Sequence, residues 1–286
     1  MARKLTKSRL AVKTVLIFVW ILLSIYSTSI LVGKLAQEYF LKEENVNIFS
    51  NSFTNNSSNT TTSLELNIIS ESLFFILLFL GNRLFFHVKI KIATRRFAWG
   101  LIYVLPLGIF LIGNVIQALN TLINKQIDQN EIILALVFSV IVGIAEEFAF
   151  RGLILGNLLT YHKKSLFYYF SAILIQGFFF GGLHLINLDR QTFSVTFTQI
   201  IYASAIGIIF GVVYEKSGSI VITILAHALI DGLAFIADPT AVMKKSLETL
   251  PSSTYVVMAG ILLFIIAYEA LTILLANKAK MDKIWQ

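Results

Sequence analysis

Continuous apolar runs, rather than alternating apolar and polar positions, dominate this chain. Eight stretches have about the 20 mostly apolar residues needed to cross a bilayer core as a helix. They fall at about 12–33, 67–86, 97–120, 131–158, 165–186, 193–214, 219–237 and 254–276. Only three prolines and sixteen glycines interrupt them, which favours long helices. The absence of a period of two argues against a transmembrane barrel. Backbone polar groups in hydrocarbon must satisfy one another, so the pattern predicts an all-α, polytopic membrane helix bundle. No internal repeat stands out, and residues 1–286 read as a single integral membrane domain. The apolar run after MARKLTKSR is too long for an ordinary signal peptide and has no convincing cleavage site, so a retained anchor is expected. Between spans one and two, residues 36–66 form a polar segment. Its Asn/Ser/Thr-rich part cannot bury enough apolar surface to order itself. It reads as an extracytoplasmic loop, and its sequons at Asn55, Asn56 and Asn59 are assigned no function.

Composition agrees with the bilayer reading. Hydrophobic residues make up 57% and charged residues 14%, against roughly 45–50% and about 25% in soluble domains. The net charge of +7 does not point to nucleic acid, because the basic residues sit in short segments beside apolar runs, where they set orientation. One side collects Arg3, Lys4, Lys7, Arg9, Lys13, Arg83, Lys89, Lys91, Arg95, Arg96, Lys163, Lys164, Lys216, Lys278, Lys280 and Lys283. The other holds Lys34, Lys42, Lys125, Arg190, Lys244 and Lys245. This asymmetry predicts a multi-pass plasma membrane protein with both termini cytoplasmic. The chain has no cysteine, which excludes a cysteine nucleophile, a thiolate zinc site and disulfides.

Charged groups inside spans are expensive and usually face the bundle interior or a wet cavity. Span four carries AEEFAFRG, with Glu146, Glu147 and Arg151. Residues four apart share a helix face, so Glu147 and Arg151 are expected to pair as structural support. Glu146, turned by roughly 100°, is left free to titrate. Span five ends in FFFGGLHL, with Phe180 and His184 four apart and Gly181–Gly182 allowing close approach. Span seven carries AHALIDG, with His227 and Asp231 on one face. At 1.5 Å of rise per residue, Glu146 lies about 22 Å and His184 about 28 Å from the turn joining their spans. Asp231 lies about 20 Å from its own turn, with His227 about 6 Å shallower. All four can surround one cavity near mid-membrane. His87 and His162 read as ordinary surface residues. Glu71, Glu131 and Arg83 read as near-interface side chains that snorkel, and Glu269 as a deeper acid with no evident partner.

At this point the chain resembles the CAAX-protease and bacteriocin-processing (CPBP, Abi) family of intramembrane endopeptidases. EEFAFR at 146–151 matches the family's paired-glutamate motif, FGGLH at 180–184 its Phe-x-x-x-His motif, and HALID at 227–231 its His-x-x-x-Asn/Asp motif. The resemblance covers about 130–235, the motif-bearing catalytic core. It implies that Glu146, with His184, activates a water to attack a peptide carbonyl, while His227 and position 231 stabilise the oxyanion. Prenyl-processing members typically carry Asn where this chain has Asp231. A carboxylate there donates a hydrogen bond only when protonated, and can instead orient His227 or bind a cation.

Glu146, His184, His227 and Asp231 also form a plausible N/O ligand set for zinc, but no HExxH motif supports it. Metal-independent water activation with no cofactor is the preferred expectation. An acyl-enzyme route has no nucleophile beside the histidines. The implied partners are membrane lipid and a peptide or membrane-anchored protein substrate. A bacterial member acting in peptide processing or bacteriocin self-immunity is expected. The alternative is a non-catalytic membrane immunity or regulatory protein that binds a sensor kinase or receptor. A proton-coupled transporter lacks the inverted repeat expected of one.

Overall fold

A computed structural model describes residues 7–37, 57–94, 96–124, 126–161, 165–238 and 249–285. Every regular element among them is helical: α1 (Lys7–Leu35), α2 (Ser57–Gly81), α3 (Phe97–Tyr103), α4 (Gly108–Ile123), α5 (Gln129–Glu147), α6 (Gly156–Leu159), α7 (Leu166–Leu183), α8 (Phe193–Ser217), α9 (Ile220–Ala237), α10 (Ser252–Leu274) and α11 (Lys278–Ile284). Eight of the described segments are long and apolar enough to cross a membrane. The predicted polytopic helical bundle is therefore the observed fold.

The departures from the apolar pattern have local causes. Helix α2 starts at Ser57, ten residues before the apolar run, so the end of the polar 36–66 segment is helical. Residues 38–56, including the sequons at Asn55 and Asn56, lie outside the described residues, as does His162. Span three is broken at Pro106 into α3, a 3₁₀ turn (Leu105–Leu107) and α4. Proline removes a helical donor and clashes with the preceding turn. His87 is exposed and ends the wide turn Asn82–Phe86 with a left-handed φ of 49°.

Helix α8 is the axis of the bundle. It is the most buried span, with Ala203–Ser217 enclosed throughout. Small residues let α7 lie against it. A methyl group at Gly181 would collide with Ser204 and the Ile200 carbonyl, and one at Gly207 would meet Gly177. Close approach through small residues supplies dispersion contacts that lipid tails cannot give to bulkier pairs. At one end of α8 the chain folds back on itself. Lys91 N donates to Tyr214 Oη at 3.0 Å, and Trp285 Nε1 donates to the Glu215 carbonyl at 3.0 Å. Tyr169 Oη donates to Asp282 at 2.8 Å, fastening α11 to α7. Lys91, Lys216 and the basic residues of the 278–283 segment thus gather at the same end of the bundle.

Candidate active site

Helix α5 begins with a reciprocal cap. Asp128 Oδ1 accepts from Glu131 N at 2.8 Å, and Glu131 Oε2 accepts from Asp128 N at 3.1 Å. Glu131 is buried by this work, so it caps the helix instead of snorkelling. The helix then runs 19 residues to Glu147 and widens into a π-helical stretch, Phe148–Leu155. Such widening leaves i→i−4 bonds unmade and is frequent at functional sites.

The four-residue pairing predicted within span four is present. Arg151 Nη1 lies 2.7 Å from Glu147 Oε1, with both side chains fully enclosed. Arg151 also donates to the Gly207 carbonyl at 3.3 Å. Its guanidinium sits over the rings of Phe180 and Phe210, at 4.7 and 5.0 Å from their centroids. Desolvated cation–π contacts of this kind are worth about 2 kcal/mol, against about 0.5–1 at exposed sites. The pair therefore ties span four to α7 and α8.

Helix α9 reaches the same point because α5 carries glycine at 143. A methyl group there would lie 3.1 Å from the Ile224 carbonyl and 3.6 Å from His227 Cβ. That close approach sets His227 beside Glu147. His227 Nδ1 is 2.8 Å from Glu147 Oε1. This oxygen already accepts from Arg151, so the imidazole Nδ1–H is the donor, which fixes the ring's orientation. The other ring nitrogen, Nε2, faces two more acids: Asp231 Oδ2 at 3.3 Å and Glu146 Oε2 at 3.5 Å. His227 and Glu147 form the floor, with side-chain exposures of 7% and 0%, while Glu146 and Asp231 reach outward at 19% and 23%. The latter two are the more exposed members of the cluster.

His184 stands one shell away. It begins the 3₁₀ turn His184–Asp189 that follows α7. Its Nδ1 lies 3.2 Å from the Phe180 carbonyl. Phe180 presents its ring edge-on to both histidines, 5.6 Å from His184 and 5.9 Å from His227. No hydrogen bond or ion pair among the described residues joins His184 to Glu146, although it is near enough to Asp231 and His227 to feel their charges. Glu146 instead has a contact with His227 at 3.5 Å, and Phe180 packs between the two histidines.

One residue belongs to this neighbourhood that its span did not reveal. Glu71, on α2, lies within electrostatic reach of Glu146, Asp231 and His227. Its Oε2 is sealed from the surface and has no hydrogen-bond partner. An acid well inside an apolar run was the available signal. Glu269 is different. It is fully enclosed on α10 with both carboxyl oxygens lacking hydrogen bonds, near Glu215 and Lys216, and away from the histidines.

Among the described residues, no group of three or more histidine, aspartate or glutamate side chains is arranged to hold a metal ion. An apolar cavity of about 340 Å³ lies between α3, the 3₁₀ turn, α4 and α9, lined by residues such as Leu101, Leu105, Ile222, Leu225 and Leu229. At 100° per residue these α9 positions face away from His227 and Asp231, so the cavity is separate from the acid–histidine cluster.

The helical membrane bundle thus brings together a glutamate pair, an arginine and a histidine–aspartate pair. Residues 128–233 match the family described as "Rce1-like: Type II CAAX prenyl endopeptidase Rce1-like". The matched stretch contains all three motifs and is similar to the CAAX-protease family that they resemble. No curated protein and no solved structure matches the chain.

Proposed function

We propose that the chain is a glutamate-dependent intramembrane endopeptidase, cutting a membrane-associated peptide or a membrane-anchored protein by direct attack of water. Glu146 takes a proton from the water as its oxygen bonds to the peptide carbonyl carbon. The carbonyl oxygen, now negative, is met by the Nε2–H of His227 in its imidazolium form, since Nδ1–H is already given to Glu147, and by Asp231 when that carboxyl is protonated. Collapse of the tetrahedral adduct breaks the C–N bond, and the proton held by Glu146 passes to the departing amine. One preorganised donor at such an oxyanion is worth about 3–4 kcal/mol. His184, on the 3₁₀ turn after α7 and edge-on to Phe180, is the second candidate to assist the water. Glu147 and Arg151 hold His227 in place.

The observation that carries this reading is the setting of His227. One ring nitrogen is held by a buried glutamate at 2.8 Å, and the other faces two partly exposed acids at 3.3 and 3.5 Å. A packing histidine needs one acceptor, whereas this one is oriented from behind and presented in front. Bacterial peptide processing or bacteriocin self-immunity is the proposed setting, in the plasma membrane with both termini cytoplasmic. The gathering of basic segments at one end of the bundle supports that orientation.

The test uses purified protein in detergent with a panel of candidate peptides, with and without chelator, beside Glu146→Gln. Cleavage by the native protein and its loss in a stably folded Glu146→Gln support the proposal. A Glu146→Gln variant that keeps full biological activity would favour a non-catalytic immunity or regulatory protein. The chelator arm reports directly on any metal requirement.

A further inference from the structure

We propose that Glu71 forms a cation subsite beside the candidate active site, which selects peptides carrying an arginine or lysine side chain next to the bond to be cut. The identity of the ligand as a peptide rests on the endopeptidase reading. The cation preference rests on the geometry alone.

The placement of Glu71 follows from how α2 lies on α5. The two helices run in the same direction. Leu64, early in α2, is buried with Phe138 and Val142 of α5, and Ile68 packs on the same cluster. Further along, the Phe75 ring stands edge-on to Phe148 at 5.3 Å. Glu71 is one helical turn before Phe75, so it faces the level of residues 145–147, where Glu146 emerges. Its electrostatic proximity to Glu146, Asp231 and His227 agrees with that position.

The charge balance at this level is uneven. Glu71, Glu146, Glu147 and Asp231 bring four carboxyl groups. Arg151 is the arginine within reach, and it is already bonded to Glu147 and boxed between Phe180 and Phe210. His227 is shared among Glu146, Glu147 and Asp231. Glu71 has no hydrogen bond or ion pair among the described residues, and its Oε2 is closed off from the surface. An ionisable group kept inside a bilayer without a partner is costly and marks a functional position. The partner missing from the fold is a cation, and the side of Glu71 near the partly exposed Glu146 and Asp231 is where a substrate would bring one. Arginine is suited to this role, because its guanidinium stays charged and donates a charge-assisted hydrogen bond to a carboxylate oxygen in a partly dry site.

The proposal is tested with full-length protein in nanodiscs and paired N-palmitoylated decapeptides. One arginine, or its neutral twin citrulline, is moved through the six central positions. Binding is read by fluorescence anisotropy and hydrolysis by mass spectrometry. At one or two adjacent positions the native protein is expected to bind arginine about tenfold more tightly than citrulline, the equivalent of ~1.4 kcal/mol. Glu71→Gln is expected to bind the two twins alike, with KM raised for the arginine peptide and kcat little changed. Equal binding of the twins at every position by the native protein overturns the proposal, and this needs no variant to fold. Arginine preference that survives in Glu71→Gln overturns it as well. Preference without any hydrolysis leaves the subsite standing and removes the endopeptidase reading. Hydrolysis without preference does the reverse.

Discussion

Removing the Arg151 guanidinium while keeping its bulk, as in Arg151→Met, isolates what the buried pair contributes. Arg151 and Glu147 are both fully enclosed and 2.7 Å apart. Taking away one partner leaves the other charge in a dry interior, a loss of about 3–5 kcal/mol. The methionine recovers part of the contact with the Phe180 and Phe210 rings, at about 0.3–1.5 kcal/mol for a sulfur–aromatic pair. A net destabilisation of roughly 2–4 kcal/mol is therefore expected. Glu147→Gln alone strands the guanidinium and weakens the hold on His227, with a loss of similar size. The double variant removes both charges together, so its loss is expected to be at least about 2 kcal/mol smaller than the sum of the singles. The assay is reversible unfolding in mixed micelles, followed by tryptophan fluorescence and repeated for all four proteins. Additive losses, or an Arg151→Met protein as stable as the native one, would refute the claim that this pair ties α5, α7 and α8 together.

Two further outcomes follow from packing. Gly181→Ala places a methyl group against Ser204 and the Ile200 carbonyl, whereas a methyl at Gly182 meets nothing within 4 Å. The first variant should therefore lose about 1–3 kcal/mol by overpacking and the second should melt like the native protein, so equal melting of the two would contradict the α7–α8 contact. Trp285→Ala removes an indole that is 8% exposed, lies 5.0 Å from the Tyr214 ring and donates to the Glu215 carbonyl. It should free α11 for limited proteolysis while leaving cuts elsewhere unchanged, and an unaltered digestion pattern would show that α11 is held by other contacts.

Much of the architecture was legible in the order of residues because the constraint is one-dimensional. A helix crossing hydrocarbon must carry about 20 apolar residues in a row, and such runs can be counted without knowing their neighbours. The Glu147–Arg151 and His227–Asp231 pairings were legible for the same reason, since residues four apart meet on any helix. Pro106 and the early start of α2 changed boundaries but not the number of spans.

The neighbours across helices could not be read in this way. That His227 bonds Glu147 as well as facing Glu146 depends on Gly143 letting α9 close on α5. That Phe180 stands edge-on to both histidines depends on α7 meeting α9 at this level, where α7 ends one residue before His184. Glu71 looked like an interfacial acid along its own run, and became part of the site only because α2 lies parallel to α5 with that face turned inward. Sequence alone determined that this chain is a helical membrane bundle holding misplaced charges, because hydrophobic length and helical period are properties of single segments. Tertiary structure alone decided which charges share a cavity, because that choice is made by the side chains through which separate helices touch.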